Sequence, residues 1–591
     1  MKFIAKFHSL IQKNKVFSKN ANARPYKNIQ MGKQCTTCEK LFVVEADDTS
    51  FYEKIGVLAP DMCPACRAQV RLSFRNERSF YKRECDRCKK QVISMYSPSK
   101  PYTVWCYDCW FADDWDAREY ALDYDSSKPF LEQLETLFMT VPKIGLLHLR
   151  SVNSEYINIS ADNKNCYMIV ESSNNEDCTN CYWIQQSKDL VDCSFTSKVE
   201  RSYECDDCYD SYRLLYSKGC HSCTDSYFLF DCRGCMDCFG CVNLRQKQYC
   251  IFNVQYSKIE YQAKVLSYRL DSHAGVERAR AEFEAFKKTQ PRKFAEIKQT
   301  VEATGNYITN AKNVHECFHT YDAEDCRYCV HAWRNSKDNV DSDTIGRNAE
   351  TNYQCVNVGQ EASNNIVCVQ CWGSNFLQYS YLMFGSDDCF GCFGLRNKKH
   401  CILNKEYNEH EYHALKSRII EEMKSRGEYG AFFPARFSNF GYNEACVQEQ
   451  FPLTKIEALA NGFKWEDTPC GTFGKETISF DTLPESIHDV PESFVKEILV
   501  CEQCSKNYRL IPNELSFYKK LSIPVPRWCP ECRHTRRFVS RGPNRLFDRS
   551  CMCVQEAHGH VEQCKKPFKT NYAPDAPEVL YCEDCYQKEV V

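Results

Sequence analysis

Cysteine is the apolar residue that recurs most regularly along the middle of the chain. One series advances by a fixed 15-residue step: Cys178, Cys193, Cys208, Cys223 and Cys238. A second series has the same 15-residue step: Cys205, Cys220, Cys235 and Cys250. Helical repeats need about 30 residues or more, so this short period indicates stacked β-coils about 4.8 Å apart. The pattern therefore predicts a β-solenoid with a 15-residue coil and an interior lined by cysteine.

The residues around these cysteines fit such a coil. Cysteine is small and apolar enough to fill a narrow interior. The two residues inside each C-x-x-C are mostly turn formers, such as "TN", "DD" and "RG", which would bend the chain between two inward cysteines. Aromatic residues often follow the cysteine, as Tyr182 and Phe239 do, and strand alternation would place them outside. Such rings either pack on helices or another chain, or stack on bases or sugars.

The predicted solenoid occurs twice. "DCFGCVNLRQKQYCIFNVQYSKIEY" (237–261) matches "DCFGCFGLRNKKHCILNKEYNEHEY" (388–412) at a constant offset. Patterns typical of amphipathic helices follow, at 276–289 and 410–426. We expect these helices to pack over the ends or edges of the two copies, where strand groups would otherwise be unpaired.

Both ends of the chain carry two C-x-x-C pairs with the same separation between the pairs. The motif "SFY" occupies the same place between the pairs at both ends, at 50–52 and at 516–518. Two such pairs complete the tetrahedral four-cysteine site that structural zinc prefers, whereas a redox dithiol would need only one pair. The predicted ligands are Cys35, Cys38, Cys63 and Cys66 at the first end and Cys501, Cys504, Cys529 and Cys532 at the other.

A second site is predicted after each of these. The first end supplies Cys85, Cys88, Cys106 and Cys109. The matching set at the other end is Cys551, Cys564, Cys582 and Cys585. An insertion of about ten residues, "MCVQEAHGHV", separates the first two members of this second set. It adds Cys553, His558 and His560, any of which could replace Cys551 as a ligand. The sequence thus predicts about four structural zinc ions, one for each set.

The first site at each end resembles the family described as a probable zinc ribbon. The resemblance rests on C-x-x-C, then "FY", then "CPxCR", and covers 35–67 at the first end and 501–533 at the other. It implies zinc binding and no activity. The whole chain also resembles large, uncharacterised cysteine-rich proteins of candidate-phylum bacteria, and this resemblance implies no function.

Arginines recur every fourth residue after each "CPxCR". A spacing of four places them on one face of a helix. Guanidinium groups pair well with phosphates, so these are candidate phosphate-binding residues; the alternative is a solvated face whose stems pack on aromatic rings. The two sets are Arg67, Arg71 and Arg75, and Arg533, Arg537 and Arg541.

Composition narrows the setting. The 591 residues suggest three to five domains, and a net charge of −3 limits nucleic-acid binding to local patches. Forty-one cysteines, an odd number, without a secretory signal favour metal thiolates in a reducing compartment over disulfides. We therefore expect a cytoplasmic protein, and the lack of a long apolar run predicts no membrane span. The basic segment 1–33 is either a solvated arm, a nucleic-acid anchor, or a membrane-surface or targeting helix.

The predicted fold class is mixed and β-rich, with zinc ribbons at both termini flanking two tandem cysteine-lined β-solenoid segments and connecting helices. The predicted domains are a basic arm 1–33, a paired zinc-ribbon module 34–112, a helical linker 113–150, solenoid copy 1 at 151–256, a helical connector 257–306, solenoid copy 2 at 307–404, a helix 405–430, a mixed linker 431–500 and a second paired zinc-ribbon module 501–591.

The functional hypothesis is a non-catalytic zinc-binding scaffold for a protein partner or for nucleic acid, with the partner and the oligomeric state undetermined. One alternative is a β-helix enzyme acting on a polysaccharide, and both copies carry "SKD" at 187–189 and 336–338. Another is a thiol-rich metal-storage or redox protein. The run "DCRGCMDCFGC" suggests an iron–sulfur cluster, but no proline follows its last cysteine, Cys241, and we assign it to the solenoid interior.

Overall fold

The structure is a computed structural model that describes residues 32–468 and 470–590. The predicted basic arm 1–33 therefore lies outside the described residues except for its last two positions. The chain divides into two compact units, one ending at Cys63 and the other beginning at Pro64. No α-helix within the described ranges is long and apolar enough to cross a membrane.

Twelve α-helices lie within the described residues. They are α1 (Ala46–Ile55), α2 (Pro64–Leu72), α3 (Tyr107–Phe111), α4 (Phe130–Thr140), α5 (Lys258–Ser267), α6 (His273–Thr289), α7 (Glu409–Ser425), α8 (Val447–Gln450), α9 (Lys455–Ala460), α10 (Pro512–Leu521), α11 (Pro530–Val539) and α12 (Glu583–Val590). Short 3₁₀ helices occupy Ala117–Tyr120, Ala435–Phe437, Tyr442–Glu444, Phe480–Thr482, Ile487–Asp489, Glu492–Lys496 and Glu556–His558.

The strands are short in the terminal modules and longer in the middle of the chain. Up to residue 161 they are β1 (Gly32–Gln34), β2 (Leu41–Val43), β3 (Tyr81–Glu84), β4 (Gln91–Ser94), β5 (Val104–Trp105), β6 (Lys143–Ile144), β7 (His148–Leu149) and β8 (Ser160–Ala161). The middle contains β9 (Tyr182–Gln185), β10 (Lys188–Val191), β11 (Ser194–Tyr203), β12 (Tyr209–Leu215), β13 (Thr224–Tyr227), β14 (Cys250–Ile251), β15 (Val254–Gln255), β16 (Arg292–Lys293), β17 (Ile297–Arg327), β18 (Val330–Lys337), β19 (Asp343–Ile345), β20 (Tyr353–Val358), β21 (Ile366–Trp372), β22 (Gln378–Phe384), β23 (Cys401–Ile402) and β24 (Lys405–Glu406). The last strands are β25 (Leu499–Val500), β26 (Asn507–Tyr508), β27 (Phe547–Ser550), β28 (Pro567–Thr570) and β29 (Leu580–Tyr581).

Two long stretches of the chain pair with themselves in parallel. In the first parallel segment (148–251), residues pair with those 12 positions further on, as Val199 pairs with Ser211. In the second parallel segment (297–402), partners are 12 or 13 positions apart, as Phe318 is from Val330 and Ala332 from Ile345. The predicted 15-residue coil is therefore wrong. Because the register of the first segment is 12, a cysteine at the 15-residue step lies one turn up and three residues along.

A three-residue period shapes the first parallel segment. Every third residue from Arg150 to Tyr249 has a left-handed φ between 44° and 69°. Asn, Asp and Gly tolerate this conformation best, and they supply many of these positions. Each left-handed residue turns the chain, so a 12-residue turn has four short sides. The residue that follows each turn is almost always buried, and most of the segment's cysteines are at these positions.

The buried positions need small side chains that both donate and accept hydrogen bonds. The Val199 N–H donates to Ser187 Oγ at 3.2 Å, so a side chain of the preceding turn satisfies this backbone group. Ser187 Oγ in turn donates to a carbonyl two residues earlier, at 2.9 Å. Cysteine makes the same pair of bonds, because Cys181 Sγ accepts from the Cys193 N–H at 3.4 Å and donates to Thr179 O at 3.2 Å. Buried polar backbone thus explains why serine, asparagine and cysteine fill the interior.

Ion pairs follow the register on the outside of both segments. Glu176 lies between Lys164 and Lys188, at 2.9 and 3.0 Å, and each lysine is one turn away from it. The second parallel segment repeats this arrangement with Glu324 between Lys312 and Lys337. Opposite charges on adjacent turns favour this register over a shifted one, although exposed pairs contribute little stability.

Helices cover the segments as expected. The predicted helices 276–289 and 410–426 are confirmed as parts of α6 and α7, apart from the last residue of the second. Phe283 of α6 contacts Phe228, with ring centroids 5.8 Å apart. Phe138 of α4 packs on Phe393 of the second parallel segment at 5.2 Å. These contacts bury rings that the strand faces would otherwise leave in water.

Outward aromatic residues also join the two parallel segments to each other. Trp183 packs edge-on against Trp333 at 4.8 Å between centroids, and Phe195 stacks on His319 at 4.9 Å. The hydroxyl groups of Tyr209 and Tyr321 lie 2.7 Å apart. Several of the rings that strand alternation places outside the coil are therefore used between the two segments.

Candidate metal centres

The predicted zinc ligands lie on a local structure that occurs four times. In each case two short antiparallel strands enclose the first cysteines: β1–β2, β3–β4, β25–β26 and β27–β28. The first cysteine of each set accepts a backbone N–H at its sulfur, and the donor is the third cysteine of the same set. The N···Sγ distances are 3.2 Å for Cys63 to Cys35, 3.2 Å for Cys106 to Cys85, 3.1 Å for Cys529 to Cys501 and 3.2 Å for Cys582 to Cys551.

Sulfur spacings in these sets match a tetrahedral metal site. Cys88 Sγ lies 3.8 Å from Cys106 Sγ, and Cys504 Sγ lies 3.7 Å from Cys529 Sγ. A zinc ion with Zn–S bonds of about 2.3 Å places neighbouring sulfurs about 3.8 Å apart, whereas a disulfide would bring them to about 2.05 Å. In the second unit, three complete four-cysteine sets, 85/88/106/109, 501/504/529/532 and 551/564/582/585, have all their sulfurs within 4.8 Å of one another. Each of these sets could hold a metal ion.

The first unit contains three of the ligands predicted for the first set. Cys38 Sγ lies 3.8 Å from Cys63 Sγ, and Cys35 accepts the Cys63 N–H described above. Their spacing equals that in the other sets. Cys66 lies in α2 of the second unit, and its role as the fourth ligand stays a prediction.

The third cysteine of each set in the second unit immediately precedes a helix. Cys106 is the N-cap of α3, and Cys529 is the N-cap of α11. Although burial acts to raise the pKa of Cys85, hydrogen bonds from the backbone N–H groups of Cys88 and Cys106 lower it to about 7. By contrast, burial and the neighbouring sulfurs raise the pKa of Cys109. Four thiolates so close together repel one another, and a divalent cation removes this repulsion.

The insertion at the C-terminal end forms a group of its own. Cys551 keeps the predicted place with Cys564, Cys582 and Cys585, so no substitute ligand is needed there. The three residues contributed by the insertion lie instead beside one member of that set. Their donor atoms and Cys585 Sγ are all within 4.8 Å of one another: Cys553, His558, His560 and Cys585.

The six candidate phosphate-binding arginines are buried. Each has 6% or less of its surface exposed. Arg67 Nη2 lies 2.8 Å from Asp341 Oδ2, and Arg71 Nη1 lies 3.3 Å from Asp341 Oδ1. The two guanidinium groups therefore enclose one carboxylate of the second parallel segment. Because this carboxylate already occupies the place that a phosphate would take, the arrangement favours a structural role over phosphate contact.

The other set of arginines repeats this arrangement on the first parallel segment. Arg533 Nε lies 3.0 Å from Asp192 Oδ2, and Arg537 Nη1 lies 3.4 Å from Asp192 Oδ1. Sequence reasoning missed both aspartates, although each ends a duplicated run, "SKDLVD" or "SKDNVD". We call the two aspartates with their paired arginines the arginine clamps. Each terminal module clamps the parallel segment that is more distant from it in sequence.

The third arginine of each set reaches the junction of the two parallel segments. The Arg541 guanidinium lies between the rings of Phe195 and Tyr307, 3.8 and 4.1 Å from their centroids. It also pairs with Asp206 at 2.6 Å. Arg75 pairs with Glu77 and, at 3.4 Å, with Glu171. Buried, paired guanidinium groups of this kind hold elements together rather than recruit a ligand.

The two other candidate motifs are parts of the interior. Ser187 and Ser336 of the "SKD" runs are buried, and each donates its hydroxyl to a nearby backbone carbonyl. The four cysteines of "DCRGCMDCFGC" occupy successive buried positions of a single turn, and each thiol donates to the carbonyl two residues earlier. The acceptors are Phe230 for Cys232, Arg233 for Cys235, Met236 for Cys238 and Phe239 for Cys241.

No model of a known protein family matches the chain, and no curated protein sequence matches it. The resemblance to zinc ribbons is therefore supported only by the cysteine sets themselves. The wider resemblance to cysteine-rich proteins of candidate-phylum bacteria has no support from these comparisons.

Proposed function

We propose that this protein is a non-catalytic scaffold whose terminal modules are zinc ribbons and whose two parallel segments are cysteine-lined β-solenoids. One structural zinc ion occupies each of the four cysteine sets. The observation that carries the proposal is the sulfur spacing of 3.7–3.8 Å, which fits tetrahedral zinc and is far too long for a disulfide.

The interior thiols support a structural role over metal storage or redox buffering. A storage protein must expose thiols to incoming ions, and a redox thiol must be accessible and easily ionised. In the first parallel segment the cysteines are at most 2% exposed, and burial raises the pKa of Cys205 and Cys220. Their hydrogen bonds to backbone carbonyls serve the fold instead.

The proposed ligand of the scaffold is a protein partner that binds the outer faces of the solenoids. Burial of the six arginines removes the main reason for assigning nucleic acid, since they were the principal cationic groups predicted. Gel-shift titration with RNA and DNA at low salt, beside affinity capture with the purified chain, separates the two classes. Tight nucleic-acid binding that weakens steeply with salt would overturn the choice of a protein partner.

Elemental analysis of the purified full-length protein tests the zinc assignment. We expect at least four zinc ions per chain. Cys504→Ser removes a ligand and should lower the count by one, whereas Cys446→Ser, outside the four sets, should leave it unchanged. A wild-type count well below four, or equal counts in the two variants, would overturn the proposal.

A further inference from the structure

We propose that the C-terminal module holds two metal ions that share the Cys585 thiolate. The inference rests on the proposed zinc function and adds a second ion to one of its four sites. Cys585 belongs to two groups of four potential ligands, each with all its donor atoms within 4.8 Å. Seven side chains therefore provide two tetrahedra that meet at one sulfur, as a bridging thiolate requires.

The distances within the second group fit a mixed sulfur and nitrogen site. Cys585 Sγ lies 3.5 Å from His560 Nε2, and Cys553 Sγ lies 3.1 Å from His558 Nδ1. Zinc with bonds of about 2.3 Å to sulfur and about 2.05 Å to nitrogen sets these separations near about 3.5 Å. Small movements of the His558 ring would give it the same separation as His560.

Both histidines are oriented as metal ligands are. A ligating imidazole binds through one nitrogen and donates its other N–H to a carbonyl or carboxylate. His560 directs Nε2 at Cys585, while its Nδ1 lies 2.7 Å from the Glu562 carbonyl. His558 directs Nδ1 at Cys553, while its Nε2 lies 3.4 Å from the Glu589 carboxylate. The partners of both outer nitrogens come from the chain itself.

The insertion has a local structure that explains this placement. Glu556–His558 form a 3₁₀ turn, and Gly559 follows it with a left-handed φ of 92°. A residue with a Cβ would be strained there, so glycine allows the two histidines on either side of it to turn toward the same group. The Cys553 side chain is fully buried beside them.

The N-terminal module provides a matched control within the same chain. It has the same strand pair and the same four-cysteine set, with Cys109 in the place of Cys585. The insertion is absent there, because Cys85 and Cys88 form an ordinary C-x-x-C pair. We therefore assign one ion to that set and two to its C-terminal counterpart.

Zinc content of the full-length protein, measured by mass spectrometry against amino-acid analysis, tests the inference. We expect five ions per chain, and four after His558→Ala or His560→Ala. Cys585→Ser should remove up to two ions, whereas Cys109→Ser should remove only one. A wild-type count of four would overturn the second ion and leave the proposed zinc function intact. A count of five that neither histidine variant lowers would also overturn it, since the fifth ion would lie elsewhere.

Cadmium-113 NMR of the exchanged protein supplies a readout that does not depend on the count. A site with two nitrogen ligands resonates apart from the all-sulfur sites. We expect His560→Gln to abolish that resonance and to shift one all-sulfur resonance through the shared Cys585. A spectrum with all-sulfur resonances alone would contradict the inference. If Cys585→Ser fails to fold, the wild-type and His560→Gln spectra remain decisive.

Discussion

The arginine clamp at Asp192 provides the sharpest test of how the terminal modules are held. Asp192→Asn removes a buried carboxylate that lies 3.0 Å from Arg533 and 3.4 Å from Arg537. At an effective dielectric constant of about 20, each contact is worth about 5 kcal/mol of Coulomb energy. Part of this is offset, because the carboxylate no longer has to be buried. Breaking one partner of a buried pair costs about 3–5 kcal/mol in net terms, and we expect a loss of this size.

Urea unfolding followed by circular dichroism, with hydrogen exchange of the α11 amides to locate the loss, measures this cost. Asp210→Asn is the matched control, because Asp210 is exposed and lies 3.9 Å from Lys198. It should change the free energy of unfolding by less than about 1 kcal/mol. Combining Asp192→Asn with Arg533→Met should restore part of the loss, since fewer buried charges are left unpaired. Equal effects of Asp192→Asn and Asp210→Asn would refute the clamp.

Three further predictions concern pH, the interior thiols and metal removal. Burial, with Lys464 nearby, lowers the pKa of Lys143 to about 7, whereas the unfolded chain keeps this lysine protonated to about 10.4. The wild type should therefore gain stability relative to Lys143→Met by up to about 1.4 kcal/mol per pH unit between about pH 7 and 10; parallel urea midpoints across this range would argue against it. Cys208→Ser should be more stable than Cys208→Ala by about 1 kcal/mol in urea unfolding, because serine can still donate to the Asp206 carbonyl, 3.4 Å from the native sulfur; a more stable alanine variant would contradict this role. After chelation of zinc, iodoacetamide should first label the exposed Cys88 and Cys504, as read by peptide mass spectrometry; labelling of Cys238 in the folded protein would show that the interior is open.

Local patterns were enough to predict the helices and the cysteine sets. The helix over 276–289 follows from its amphipathic period, and the cysteine sets follow from paired spacing, because both depend on residues close in sequence. The coil length was not readable in the same way. A 15-residue spacing combines one 12-residue turn with one three-residue side, and the sequence does not separate these two contributions.

The arginines show why site prediction also failed beyond the local level. A stripe such as Arg533 and Arg537 looks the same whether it faces water or a distant carboxylate. Its partner Asp192 belongs to a much earlier part of the chain, and only the tertiary structure brings them together. The second group at Cys585 was foreshadowed by the insertion, but sharing of one sulfur is a geometric property that spacing does not contain.

The crossed arrangement of the clamps gives the two ends of the chain different histories during synthesis. Arg71 must wait for Asp343, 272 residues further on, which takes about 14–54 s at about 5–20 residues per second. Arg541 instead meets Asp206, made 335 residues before it. The nascent N-terminal module therefore carries uncompensated guanidinium groups for most of translation. It is the end that a ribosome-associated chaperone would have to protect, while the last module docks onto a surface that already exists.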